Sequence, residues 1–293
     1  MERRIITGHD GSAASLAALE WAAGEALLRH ADLCIVAAHQ VPPHIGAGLE
    51  APTAAITSVD VTAGLLEVDL DRAAHGIRLG HPGLTVCTEV IADSPRHALV
   101  ARSDGADLLV IGASGAGSIT GWVFGSVVQH AIRHSPCPVV VVPGGSARRP
   151  SRRVVVGIDG SAAADGAVDW AADEADRRSL PLEVIHGWER PFAADPALTA
   201  DVHALAEVDA ATTLDAAVAR ARERCGAPVQ GRLIEGNVVD ALLASGAGSA
   251  VLVVGSAGRG GFRSMLVGSV AQAVAEHAPC PVVVVRRGAH APA

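Results

Sequence analysis

The chain begins with "RRIITGHDGSAASLAALEWAAGEA" (3–26) and repeats this stretch as "RRVVVGIDGSAAADGAVDWAADEA" (152–175). In each copy a short run of β-branched residues leads through Gly-x-Asp-Gly-Ser into a long run of small residues. This order is typical of a strand that turns directly into a helix. A second pair, "HSPCPVVVVP" (134–143) and "HAPCPVVVVR" (277–286), lies at the end of each half. The sequence therefore predicts one fold that is written twice along the chain.

A linker separates the two copies. The stretch "PGGSARRPSRR" (143–153) is rich in Gly, Pro, Ser and Arg, a composition typical of connections between domains. We expect a first domain over residues 1–146 and a second over residues 152–293. In each half, short apolar runs alternate with helical patterns, which predicts an α/β fold with a five-stranded parallel sheet covered on both faces.

The composition excludes several classes of function. The net charge is -8, so we expect no general attraction to nucleic acid. All 23 basic residues are arginine, which excludes a P-loop with its lysine. No apolar run approaches the ~20 residues of a membrane span, and the start lacks the apolar core of a secretion signal. Five scattered cysteines without a CxxC pair are typical of reduced thiols, so we expect a cytoplasmic protein.

The ends of two strands in each half carry the polar and glycine residues expected of a ligand site. The first strands end at Gly8-His9-Asp10 and Gly157-Ile158-Asp159, and the fourth strands end at Gly112 and Gly255. In open parallel sheets, ligands bind beyond the carboxyl ends of the strands, where the strand order reverses. We therefore expect the aspartate and the glycine loop of each half to face one crevice.

The glycine loop has the same spacing in both halves. Gly112-Ala113-Ser114-Gly115 is followed by nine residues and then by Gly125-Ser126; Gly255-Ser256-Ala257-Gly258 precedes Gly268-Ser269 at the same interval. Glycines allow positive φ and a close approach of the backbone to a ligand. The amides that begin the next helix favour an anion, and the serine hydroxyl adds a donor. The repetition favours a phosphate site over glycines that merely shape a loop.

Two interpretations of Asp10 and Asp159 remain open. Asp-Gly-Ser after a strand is a good turn and helix N-cap. A carboxylate opposite a glycine loop could also accept hydrogen bonds from ribose hydroxyls, or help to hold Mg²⁺ on bound phosphates. A different pair, His130 and His134, has a spacing that could ligate zinc, but the sequence offers no obvious third ligand, and we interpret them as surface residues. We predict no resident metal site.

The glycine loop, the strand end "GIDGS" and the closing "PCPVVVV" together resemble the universal stress protein family, in its tandem-domain form common in actinobacteria. The resemblance covers essentially the whole chain. It implies two Rossmann-like sheets of strand order 3-2-1-4-5, each binding one ATP. Because each "VVVV" strand would otherwise expose an unpaired edge, we expect the two fifth strands to pair and form a pseudo-dimer within the chain. We also expect two chains to form a homodimer.

The resemblance implies a set of ATP contacts in each half. Ala38, Val90, Gly187 and Ile234 would border the adenine, the two aspartates would lie near ribose and phosphates, and the loops would cradle the triphosphate. The first set is Gly8, Asp10, Ala38, Val90, Gly112, Ala113, Ser114, Gly115, Ala116, Gly117, Ser118, Gly125, Ser126 and Val127. The second set is Gly157, Asp159, Gly187, Ile234, Gly255, Ser256, Ala257, Gly258, Arg259, Gly260, Gly261, Gly268, Ser269 and Val270.

The implied function is that of a regulatory ATP sensor in stress and dormancy, acting through unidentified signalling partners. The sequence places no clear general base or arginine finger, so we expect any hydrolysis to be slow. The alternative is a slow ATPase or nucleotidyl-transfer enzyme that uses the same cleft. A structural module without nucleotide is a third possibility, against which the two intact loops argue. Because only the second loop carries an arginine after its glycine pair, Arg259, we expect the second site to bind at least as well as the first.

Overall fold

The computed structural model describes residues 3–39, 53–115, 125–144, 152–189, 199–258 and 267–286. The chain divides into two compact units, Met1–Gly145 and Ser146–Ala293. Within the described part, no helix is both long and apolar enough to cross a lipid bilayer.

The first unit alternates strands and helices. Its parallel sheet has the order β3-β2-β1-β4-β5. The elements are β1 (Arg4–Gly8), α1 (Ala13–Arg29), β2 (Asp32–Ala38), α2 (Thr53–Gly80), β3 (Val86–Ile91), α3 (Pro95–Arg102), β4 (Leu108–Gly112), α4 (Ser126–His134) and β5 (Val139–Val142).

The second unit repeats this arrangement. Its parallel sheet has the order β8-β7-β6-β9-β10. The elements are β6 (Val154–Ile158), α5 (Ala162–Arg178), β7 (Leu182–Trp188), α6 (Thr199–Arg224), β8 (Val229–Glu235), α7 (Val238–Gly246), β9 (Val251–Gly255), α8 (Ser269–His277) and β10 (Val282–Val285). The predicted α/β fold with parallel strands is thus confirmed.

The cores are aliphatic, and small residues let the first helix of each unit lie close to its sheet. Ala18, Ala22 and Ala26 on α1 have no exposed surface. A Cβ added to Gly112, at the end of β4, would lie 2.6 Å from the carbonyl carbon of Ala14. Because these residues are alanine and glycine, the beginning of α1 can lie against the end of β4. Both therefore lie at the same edge of the sheet.

The first helix of each unit begins and ends in the same way. The Oγ of Ser12 accepts a hydrogen bond from the backbone N–H of Ser15 at 3.1 Å, and Ser161 caps α5 in the same manner. The helices end at His30 and Ser179, which have left-handed φ values of 52° and 53°. Each unit therefore reverses from the first helix into the second strand at a residue other than glycine.

Each of these helices also buries an ion pair near its end. Glu25 pairs with Arg29, and Glu174 pairs with Arg178, both at a spacing of four residues. The side chains of Glu25 and Glu174 are 0% exposed. An isolated charge in this position would be strongly destabilising, so each glutamate needs its arginine; Arg29 is itself buried, whereas the side chain of Arg178 is 23% exposed.

Candidate functional site

In the first unit, a cavity of about 520 Å³ lies at the carboxyl ends of β1 and β4. It contains the crevice at which the aspartate and the glycine loop were predicted to meet. The predicted site residues that line it are Gly8, Asp10, Ala38, Gly112, Ser114, Gly115, Gly125, Ser126 and Val127.

In the second unit, a cavity of about 560 Å³ lies at the ends of β6 and β9. Its lining repeats that of the first unit nearly position by position. The predicted site residues that line it are Gly157, Asp159, Gly187, Gly255, Ala257, Gly258, Gly268, Ser269 and Val270.

Four described residues of the predicted set do not line a cavity. The backbone N–H of Ala113 donates to the carbonyl of Val142 at 2.9 Å, which aligns this residue with β5. Ser256 is buried, and its N–H donates to a carbonyl of β10. Val90 and Ile234 lie on the outer strands β3 and β8. The remaining members of the set lie outside the described residues: Ala116, Gly117, Ser118, Arg259, Gly260 and Gly261.

The aspartate of each unit forms the turn that begins the first helix. The Oδ1 atom of Asp10 accepts a hydrogen bond from the N–H of Ser12 at 3.0 Å. Asp159 makes the same contact with Ser161, also at 3.0 Å. Each aspartate therefore has a structural role in the turn before the helix, as one of the two interpretations predicted.

The second carboxylate oxygen faces the glycine loop. A Cβ added to Gly115 would lie 3.0 Å from the Oδ2 atom of Asp10, and one added to Gly258 would lie 2.6 Å from the Oδ2 atom of Asp159. Only glycine lets the loop and the carboxylate approach so closely without displacement. The turn and the crevice thus use different oxygens of the same side chain, and one interpretation does not exclude the other.

The beginnings of α4 and α8 supply hydrogen-bond donors to the cavities. Gly125 and Gly268 are the N-cap residues, in extended conformations with ψ of 142° and 148°, and neither cap supplies a side-chain hydrogen bond. Ser126 and Ser269, which follow them, line the cavities. Amide N–H groups in the first turn of a helix have no acceptor within that helix, so these two beginnings are suited to bind an anion.

Glycine allows positive φ, but Gly112 and Gly255 do not adopt it. Positive φ among the described glycines occurs elsewhere, at positions such as Gly11 and Gly160. Gly112 and Gly255 instead leave room for the helix backbone. A Cβ on Gly255 would lie 2.9 Å from the carbonyl carbon of Ala163.

The third helix of each unit contributes an apolar wall that was not predicted from the sequence. Leu99 on α3 and Leu242 on α7 line the cavities, and each would be 2.9 Å from a Cβ added to Gly8 or Gly157. Each leucine lies four residues after another lining residue. That spacing on a helix following the third strand could have indicated an inward face. The other lining residues of these helices are Pro95 and Val238.

Comparison with known proteins bears on this arrangement. A model of the universal stress protein family matches residues 1–143 and again residues 150–286. The chain belongs to the universal stress protein family. A universal stress protein of Mycobacterium tuberculosis is 32% identical over 305 residues, which cover 96% of each chain. One of Mycolicibacterium smegmatis is 32% identical over 297 residues, covering 97% of each. The predicted tandem family membership is confirmed.

The fold of this universal stress protein is shared by a solved relative. The crystal structure of a universal stress protein from Archaeoglobus fulgidus superimposes with a TM-score of 0.65, covering 97% of this chain and 98% of that one. The sequences are 21% identical, so the likeness concerns the fold.

Each cavity of this universal stress protein contains a buried histidine, but at a different position in the fold. The side chain of His9 is 3% exposed, and its Nε2 lies 3.1 Å from the Oδ2 of Asp69 on α2. Its Nδ1 is buried without a hydrogen-bond partner among the described residues. In the second unit Ile158 occupies the position of His9. The histidine of that cavity is His186, whose Nδ1 donates a hydrogen bond to the carbonyl of Ile158 at 2.9 Å.

A second group of histidines lies outside the cavity, between α3 and α4. The rings of His130 and His134 stack with centroids 4.2 Å apart, and the ring of His97 lies 5.2 Å from that of His130. Burial, followed by the charges of neighbouring histidines and arginines, lowers the pKa of His130. Across the described ranges, no group of three His, Cys, Asp or Glu residues is arranged to hold a metal ion.

Proposed function

We propose that this universal stress protein binds one ATP in each unit and acts as a regulatory nucleotide sensor in stress and dormancy. One observation carries the proposal. In both units a carboxylate, a closely approaching glycine backbone and a helix beginning without a side-chain cap surround a cavity, about 520 Å³ in one and about 560 Å³ in the other. Cavities that bind small molecules commonly measure about 300–1,000 Å³.

The chemistry of the lining matches the parts of an adenine nucleotide. In the first unit, Val36, Ala38 and Leu99 form an apolar wall against which a purine can pack. The beginning of α4 offers amide donors for phosphate oxygens. Asp10 lines the same cavity, and its carboxylate can accept hydrogen bonds from ribose hydroxyls. Backbone amides thus replace the lysine that other nucleotide sites use, which agrees with a chain that has none.

Magnesium enters this proposal together with the nucleotide. Mg²⁺ is commonly held by one or two carboxylates and by substrate phosphates, and it keeps several water ligands. Asp10 and Asp159 each place one carboxylate in a cavity. These two residues would hold the ion against the phosphates, and the ion would neutralise part of the charge of the triphosphate.

Regulation is favoured over fast catalysis. Among the described lining residues, the titratable side chains are His9, Asp10, Asp159 and His186. The aspartates accept backbone hydrogen bonds, and the histidines contact Asp69 or a strand carbonyl. Fast hydrolysis needs a base that orients water at the terminal phosphate. We therefore expect turnover well below about 1 s⁻¹, at the low end of enzyme rates.

Several finer assignments belong to the same proposal. Val90 and Ile234 at the adenine edge would need the outer strands to contribute once a nucleotide is bound. The loop residues 116–118 and 259–261 would complete the phosphate contacts, with Arg259 favouring the second site. Pairing of the two fifth strands, homodimer formation, unidentified signalling partners and a cytoplasmic location stay predictions of the sequence.

The test begins with protein purified without added nucleotide. The protein is denatured in acid, and the released material is identified by chromatography; we expect adenine nucleotide. Stripped protein is then titrated with ATP and, as a matched control, with GTP in an isothermal calorimeter. We expect two ATP per chain and weaker binding of GTP. Absence of heat with ATP at millimolar concentration, in protein shown by circular dichroism to be folded, would contradict the proposal.

A further inference from the structure

Two cysteines of the first unit face each other across neighbouring strands. Cys34 on β2 and Cys87 on β3 are register partners in the parallel pair. Register partners of adjacent strands project to the same face of a sheet. Because adjacent strands lie about 4.8 Å apart, the two Cα atoms have a separation within the ~4.4–6.8 Å range of disulfides.

The two thiols already interact, but they differ in access to solvent. Cys34 is 8% exposed, whereas Cys87 is exposed. Burial and a hydrogen bond with the side chain of Cys87 raise the pKa of Cys34 to about 12. Cys34 is therefore a buried, protonated thiol at neutral pH, and Cys87 is the thiol that a reagent in solution meets first.

The strand that carries Cys87 can adjust to a covalent bond. Among the described pairs of the first unit, β3 is bonded only to β2. Disulfide formation needs Cβ atoms about 3.8 Å apart, which is about 1 Å less than the spacing of adjacent strands. An outer strand held on one side can make this movement at lower cost than a strand held on both sides.

We propose that Cys34 and Cys87 are a redox-active dithiol that a hydroperoxide converts into a disulfide. The sulfur of Cys87 attacks the peroxide and the O–O bond breaks, while the S–H proton of Cys87 passes to the departing oxygen; this leaves a sulfenic acid on Cys87 and releases water or an alcohol. The sulfur of Cys34 then attacks the sulfur of Cys87. The S–O bond breaks as the S–S bond forms, and the proton of Cys34 leaves with the hydroxyl as water.

The second unit provides a natural contrast. At the repeated positions, Glu183 on β7 faces Gln230 on β8. Glu183 is held there by Arg153 at 3.0 Å and by Arg232 at 3.3 Å. The same place in the sheet therefore carries ionic contacts in one unit and thiols in the other. The proposed chemistry belongs to the first unit alone and does not depend on nucleotide binding.

The test is mass spectrometry of the full-length protein, purified in reductant, desalted and exposed to hydrogen peroxide. We expect a loss of about 2 Da, the mass of two hydrogen atoms, restored by dithiothreitol. Cleavage after arginine places Cys34 in the peptide 30–72 and Cys87 in the peptide 79–96. We expect these two peptides to appear joined after oxidation.

Variants make the assignment specific. Cys87→Ser, at an exposed position, and Cys34→Val, which preserves an apolar core residue, should each abolish the mass loss. Cys280→Ser, at a buried cysteine of the second unit, should retain it. The proposal is overturned if the wild-type protein gains oxygen at Cys87 without the joined peptides, if Cys87 instead links two chains, or if the Cys87→Ser variant still loses about 2 Da.

Discussion

At the scale of single residues, the aspartate of each unit combines a turn and a site. The Oδ1 atom of Asp159 accepts a hydrogen bond from the N–H of Ser161, while the Oδ2 atom faces the glycine loop. A substitution that keeps the first contact and removes the charge can separate the two roles. Asparagine does this, because its side-chain carbonyl also accepts in such turns.

We predict that Asp159→Asn keeps the stability of the second unit but lowers its affinity for Mg-ATP about tenfold or more, since hydrogen bonds to charged groups contribute about 1.5–3 kcal/mol. Calorimetry measures the affinity and urea unfolding the stability. Asp215→Asn, at an exposed position on α6, is the matched control and should change neither. If Asp159→Ala loses stability while Asp159→Asn binds ATP normally, the aspartate acts only in the turn before α5.

The meeting of Asp10 with Gly115 could be predicted because both follow strands whose ends lie at the same sheet edge. The contact of His9 with Asp69 could not, because it joins positions 60 residues apart on different elements. No local pattern indicates which residue of a 28-residue helix will lie over a given strand end. The role of Gly112 was also hidden, since a spacing of glycines does not distinguish a ligand from a packed helix.

At the scale of elements, we expect the buried ion pair between Glu25 and Arg29 on α1 to have a large effect on stability. Arg29→Met leaves Glu25 charged and fully buried, and we expect a loss of about 3–5 kcal/mol in the free energy of unfolding. The double variant Glu25→Met with Arg29→Met should recover much of this loss, because an apolar pair avoids desolvating either charge. Urea unfolding of the three variants tests this. A double variant no better than Arg29→Met would show that the cost arises from packing.

The histidines between α3 and α4 predict a dependence of stability on pH. Burial, then His134 and His97, lower the pKa of His130 from 6.5 in the folded chain. The unfolded chain therefore binds a proton at higher pH than the folded chain does. This contribution is absent above neutral pH, and stability is lost as the pH falls below 6.5 towards the folded pKa.

We predict that His130→Ala is more stable than the wild type near pH 5 and differs little at pH 8. Alanine already occupies the repeated position, Ala273, on α8. Thermal unfolding from pH 8 to pH 5 measures the effect. His75→Ala, at an exposed position on α2, is the control and should leave the difference between the two pH values unchanged. A wild-type protein that is no more sensitive to acid than His130→Ala would contradict the prediction.

The elements themselves were largely visible in the sequence, because apolar runs bounded by glycine or proline mark strands and small-residue runs mark helices. The inward face of α3 was less visible. This helix has eight residues, so its pattern covers barely two turns. Its cavity-lining role becomes apparent only once β1 lies beneath it.

At the scale of the whole molecule, two repeated sites in one chain allow each to be removed separately. Gly125→Trp and Gly268→Trp place a large ring at the beginning of α4 or α8, within the space proposed for the phosphates. We predict that each variant binds one ATP per chain and that the double variant binds none. Calorimetric stoichiometry is the measurement. Gly76→Trp, at an exposed helix position where an added Cβ meets nothing within 4 Å outside its own helix, should keep both sites.

If both tryptophan variants still bind two ATP per chain, the nucleotide binds elsewhere. If either variant loses both sites, nucleotide binding in the two units is coupled. The repeat itself was readable from the sequence, because the beginning and the end of each half match. The divergence between the halves was readable only in part. His9 against Ile158 was apparent, whereas the facing of Cys34 and Cys87 required the strand register.

The residues that end α1 and α5 have left-handed φ values without being glycine, so the protein is less heat-stable than its fold allows. An ordinary residue in this conformation carries a steric cost of about 1–2 kcal/mol, which glycine avoids at the expense of about 0.5–1 kcal/mol of chain entropy. His30→Gly and Ser179→Gly should therefore each raise the melting temperature by a few degrees in scanning calorimetry, and a fall would show that the side chains matter more. A molecule that leaves the same improvement unmade in both halves has not been selected for maximal heat resistance.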